Sequence, residues 1–137
     1  VIEQNKARVR EFIDRVLSSG EVSATGDFFH ADMVEEVPLP GQGPGLAGLE
    51  ATLTALRTAF PDMRWRVEEQ IAEGDRVLTR FVWDGTHRGD FFGMPATNRA
   101  VSVWGMVVDR FEGSKIQSTR ILMDTMSLMQ QLGAAPG

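Results

Sequence analysis

The chain has 137 residues, an apolar fraction of 42% and a formal net charge of -5, enough for one sizeable core and the size of a single domain over residues 1–137. Its lysines and arginines are scattered rather than striped, which excludes the phosphate-neutralising surface of a nucleic-acid binder. Cysteine is absent, which removes disulfides, thiolate metal sites and cysteine nucleophiles and fits a reducing, cytoplasmic setting.

From Ile2 to Leu17 the apolar residues Val9, Phe12, Ile13, Val16 and Leu17 recur at three- and four-residue spacing, which predicts an amphipathic helix. The charges interleaved there rule out a secretory signal, and no later stretch reaches membrane-spanning length. Ser18 to Gly20 break the helix, and Ser23 to Phe29 suit a short second one ahead of His30. Met33 to Pro38 reads as a short strand, and the Pro- and Gly-rich Pro38 to Gly48 as a loop over the surface or over a pocket. A helix follows from about Gly48 to Phe60, with Leu49, Leu53, Leu56 and Phe60 as its stripe and Pro61 as its stop.

Beyond Pro61 the period changes. Segments 63–71, 76–86, 100–111 and 115–126 are rich in Val, Ile, Phe, Trp and Thr, and Glu73-Gly74-Asp75 and Glu112-Gly113-Ser114 mark tight turns between them, as in antiparallel hairpins. Helices first and a run of strands afterwards make an α+β order rather than a parallel α/β sheet. A strongly curved sheet around the N-terminal helices leaves an interior suited to a small hydrophobic ligand. A frayed tail is expected after Gly133.

Phe60-Pro61-Asp62, Gly85-Thr86-His87-Arg88-Gly89-Asp90-Phe91-Phe92-Gly93-Met94-Pro95-Ala96-Thr97, the Gly113-Ser114-Lys115-Ile116 turn, and Asp124 ahead of Gln130-Gln131-Leu132-Gly133 occur in this order. Together with the first helix and Phe29-His30-Ala31-Asp32, they resemble the SnoaL-like polyketide cyclases over nearly the whole chain. The resemblance implies a cone-shaped α+β barrel, shared with nuclear transport factor two, scytalone dehydratase, ketosteroid isomerase and limonene epoxide hydrolase. It also implies cofactor-free aldol closure of a polyketide ester, and homodimers formed through the outer sheet face.

Asp124 lies in an apolar run, where burial raises a carboxyl towards the range of a general base. It falls on the family's acid-base aspartate, although an aspartate at a strand end also faces solvent or caps a turn. His87 matches the family's Gly-Thr-His motif and is either a proton donor or acceptor at the rim or a brace for its loop. His30 is a substrate contact or an anchor for a helix end. If Asp124 faces inward, Arg120 and Leu122 share its face, making Arg120 its electrostatic partner. Arg80, Trp104 and Met106 complete the expected substrate contacts. The set Val101, Val103, Gly105, Val107 faces away from Trp104 and Met106, so only one set lines the cavity. No metal or other cofactor is expected.

The sequence departs from the family at two points. The characterised cyclases carry a second histidine on the strand before the aspartate strand, whereas no histidine follows His87 and Asp109 and Arg110 are the ionisable groups of that stretch. Ser118, Thr119 and Arg120 replace the usual acidic and tryptophan residues. An epoxide-hydrolase reading could use Arg80 and Asp124 but lacks its third member, because the residue two after Arg80 is Val82. An isomerase of the ketosteroid type would lack its tyrosine, as the chain has none. A non-catalytic ligand-binding module of the same fold is a further alternative.

Overall fold

The computed structural model describes residues 1–133. The expected tail lies outside the described residues. Helix α1 (Ile2–Phe12) continues as a π-helical turn, Ile13–Ser18, and a 3₁₀ turn spans Val22–Asp27. Strand β1 (Phe29–Glu35), helix α2 (Gly45–Ala59), strands β2 (Arg64–Glu73), β3 (Arg76–Thr86), β4 (Ala100–Glu112) and β5 (Lys115–Met123), and helix α3 (Thr125–Gln131) follow.

The five strands form one sheet in the order β1-β5-β4-β3-β2. Every pairing is antiparallel except β1 with β5, as the α+β order requires. The sheet curves around the helices but stays open, with β1 and β2 as its edges. The barrel is therefore a cone with a gap.

The elements follow the sequence periodicity, with three differences. Strand β1 begins at Phe29, four residues before the expected start, because the Val22–Asp27 turn ends early and Phe29 reaches the core, 3% exposed. The first helix loosens into a π-turn, whose end is held from outside: the Arg57 guanidinium donates to the carbonyls of Leu17, Ser18 and Met63 at 3.0–3.1 Å. Ser18 completes the joint by donating to the Trp65 carbonyl and accepting from its N–H. The last strand stops at Met123 instead of running to Met126. Asp124 leaves the extended conformation and its carboxylate accepts from the Ser127 N–H at 3.0 Å, which starts α3 as an N-cap.

The core lies between the concave face and α1, the π-turn and α2. From the sheet it draws Val77, Phe81, Trp83, Val101, Val103 and Ile116, and from the helices Val9, Phe12, Ile13, Val16, Leu49 and Phe60. Close approach is made possible at Gly105, where an added Cβ would lie 2.7 Å from the Phe81 ring and 2.5 Å from the Leu122 carbonyl. No helix among the described residues is long and apolar enough to cross a membrane.

Candidate acid-base site on the concave face

Alternation along β4 sends Val101, Val103, Gly105, Val107, Asp109 and Phe111 to the concave side. Its partner β5 sends Ile116, Thr119, Ile121 and Met123, after a register shift around Gln117 that resets the strand. The helices do not cover this surface evenly. Val101, Val103 and Phe111 are buried, whereas Val107, Ile121 and Met123, which point the same way, are half-buried. These three side chains form a half-buried patch packed against the edge of the core.

Two carboxyl groups lie at the edge of that patch. Asp109 pairs in register with Thr119, and Thr119 with Glu35 on β1, so the three form one row across adjacent strands. Asp109 is 4% exposed. Burial pushes its carboxyl up to about 7; a hydrogen bond from Thr119 opposes the rise, and the Glu35 charge adds to it. Burial likewise pushes Glu35 up to about 6, against the pull of N–H donors that include Val37 at 3.1 Å. Desolvation therefore keeps both acids near the pH at which a group can take and return a proton.

The residues expected to form the site do not converge. Asp124 caps α3, and its N–H donates to the Trp104 carbonyl at 3.0 Å. From Trp104 to Asp109 is about 16 Å of strand. His87 is fully buried at the end of β3, against the rings of Phe60 (5.4 Å) and Phe91 (6.3 Å). Its Nδ1 accepts from the Thr97 N–H at 3.2 Å, with the Thr97 hydroxyl 3.0 Å away, which places the proton of the neutral ring on Nε2. His87 thus braces its loop. His30 bonds the Glu112 carbonyl at 2.7 Å through Nε2, joining β1 to the β4–β5 turn.

The shared inward face of Arg120 and Leu122 is corrected. Asp124 has already left the strand, so it does not set the parity; Thr119, Ile121 and Met123 do, and Arg120 and Leu122 point to the convex side. Trp104 and Met106 lie there too, opposite Val82 and Arg80. Leu122 is 74% exposed and Trp104 47%. Arg80 on the same face is paired with Glu69 at 3.0 Å, away from Asp124. Of the two alternating sets on β4, the valines face the concave side and the core. The pair Glu35 and Asp109, absent from the expected site, was readable in part: Asp109 continues the alternation of Val101, Val103, Gly105 and Val107. Glu35 had no such signal, because its role depends on β1 lying beside β5. Among the described residues no group of three or more carboxylates and histidines gathers to hold a metal.

An open curved sheet with helices in its concavity is the architecture of the α+β cone class, and the acids Asp109 and Glu35 lie in one row on it. The sequence profile of the SnoaL-like polyketide cyclases matches residues 7–132, and the chain belongs to that family. It is similar to a candidate polyketide cyclase from Acidithiobacillus ferrooxidans, at 27% identity and a TM-score of 0.83, with 97% of this chain and 96% of that one covered. TsrD from Streptomyces laurentii shares 24% identity over 93% and 96% of the two chains, with a TM-score of 0.83. AclR from Streptomyces galilaeus, a candidate hydroxylase, shares 24% identity over 100% of this chain and 85% of that one, with a TM-score of 0.85. The sequence matches none of the curated proteins.

Proposed function

We propose that this chain is a cofactor-free acid-base enzyme of the cytoplasm that closes a ring in a polyketide ester, with Asp109 as the proton-transfer group and Glu35 as its partner. The observation that supports the reading is the placement of Asp109 on the concave face, in register with Thr119 and next to the half-buried Val107 and Ile121, where burial raises its carboxyl to about 7. A carboxylate so poised takes the proton from a carbon beside a carbonyl. The resulting enolate carbon attacks a second carbonyl of the same substrate, forming the new carbon–carbon bond, and the alkoxide oxygen receives the proton back from the Asp109–Glu35 pair. Nothing is oxidised or reduced and no group leaves. Thr119, between the two acids, holds the row in register. The half-buried Val107, Ile121 and Met123 give the ligand its apolar bed.

Asp124 stands as the second candidate because of its place in the family pattern. The two separate by substitution, since asparagine caps a helix about as well as aspartate and Asp124→Asn leaves α3 intact. On a panel of polyketide esters, Asp109→Asn is expected to lower kcat at least 100-fold while Asp124→Asn stays within about three-fold. If Asp124→Asn loses the activity and Asp109→Asn keeps it, the centre lies at Asp124. We further propose a homodimer through the convex face, supported by the exposed Trp104, Met106 and Leu122 on its central strands.

A further inference from the structure

Away from the concave patch, a cleft of about 230 Å³ opens between α2, the loop after β1 and the β3–β4 connection. Its walls are mainly apolar, with Leu39, Pro40, Ala55, Leu56, Phe91 and Phe92 among them, and it shares no residue with the Glu35–Thr119–Asp109 row.

The aromatic wall sits on a strained turn. Phe91 and Met94 exchange two backbone hydrogen bonds at 3.0 Å, closing a two-residue hairpin turn over Phe92 and Gly93. Both central residues have positive φ, +49° and +84°. Such a turn takes Asn, Asp or Gly at its first position, and a bulky residue there is strained. Core packing does not compensate, because Phe92 is 57% exposed. Its ring instead stands edge-on to Phe91 with centroids 4.7 Å apart, extending the wall of the cleft.

Behind that wall is a donor without an acceptor. The Phe91 ring lines the cleft and lies edge-on to His87, whose Nε2 is buried and has no hydrogen-bond partner among the described residues. A buried unpaired N–H is costly, and few native groups are left so. Since Thr97 occupies Nδ1, the free proton stands on the ring atom left to a ligand.

We propose that the cleft is a second ligand site, for a flat aromatic molecule bearing an acceptor oxygen: the ring lies against Phe92, Phe91 turns aside, and the oxygen accepts from His87 Nε2–H. Phe92 keeps its strained conformation because it forms the lip of this site.

The test uses the full chain and two near-isosteric probes, 2-acetylnaphthalene with an acceptor oxygen and 2-ethylnaphthalene without one. The ketone is expected to bind roughly ten-fold more tightly and to move the Nε2–H resonance of His87, one of only two histidines to assign. His87→Leu, which has no donor, should abolish the preference. Ala55→Trp, which fills the cleft from the exposed face of α2, should abolish binding of both probes. Phe92→Gly should weaken both several-fold while raising Tm, since it relieves the turn; this arm and the histidine resonance decide the matter if His87→Leu does not fold. Equal affinity for the two probes, a stationary His87 resonance, binding that survives Ala55→Trp, or Phe92→Gly binding like the parent protein would each overturn the proposal. Turnover by Asp109 is measured separately, so either reading can fail alone.

Discussion

Asp109 carries two consequences of one burial. The environment that poises it for proton transfer makes its ionisation unfavourable to the fold. Its folded value of about 7 lies above the ordinary carboxyl range, and so does the value of about 6 for Glu35. A raised carboxyl means that the folded chain holds its protons more tightly than the unfolded one. The associated stability is fully present below pH 4 and is lost as the pH rises through 6 and 7. The slope for one group approaches about 1.4 kcal/mol per pH unit. Urea unfolding between pH 4.5 and 8 is therefore expected to give a free energy that falls with pH, and Asp109→Asn, which has no proton to lose, should flatten most of the fall. Equal slopes for the two proteins would mean that Asp109 is not desolvated as described. The sequence places Asp109 among inward-facing valines, so its burial was legible. The opposing Glu35 was not, since no local pattern says which strand lies next to β5.

At the level of elements, helices and hairpins were legible because their periods are local, and the ends were not. The last strand reads as extended through Met126 from its β-rich composition, but the Asp124 side chain competes for the backbone and turns it into α3. That choice also decided the face of Arg120 and Leu122, since the parity had been counted from a residue outside the strand. The cap accounts for part of the stability. Asp124→Ala is expected to cost about 1 kcal/mol while Asp124→Asn costs a few tenths at most, a difference readable by thermal unfolding. If both substitutions cost the same, the carboxylate acts through something other than the Ser127 N–H. The π-turn at the end of α1 is a similar case. Its end is held by Arg57, about forty residues away, and only the tertiary fold brings that guanidinium to the carbonyls of Leu17 and Ser18.

For the whole molecule, the open sheet has two faces of different kinds. The concave one packs against the helices, most closely around Trp83 and Val103 and less so at the half-buried Val107, Ile121 and Met123 beside Asp109. The convex one carries apolar side chains on its central strands, with Met106 opposite Leu122 in register and Val82 opposite Trp104, and the exposed ion pairs Arg80–Glu69 and Arg66–Asp84 border them on the β2 side. An apolar centre with a charged rim is the anatomy of a self-complementary interface, and exposed ion pairs contribute too little on their own to account for the arrangement. A homodimer is therefore expected in sedimentation experiments at tens of micromolar. Leu122→Glu should dissociate it, because two copies of one patch would each bring a carboxylate into an apolar centre. The same substitution should leave the far-UV spectrum unchanged and Tm little altered at concentrations where the parent is already monomeric, since Leu122 is 74% exposed in the single chain. A parent protein that sediments as a monomer, or a Leu122→Glu variant that stays dimeric, would remove the convex face from the assembly. The cone's gap and the Asp109 patch would then have to be understood within one chain.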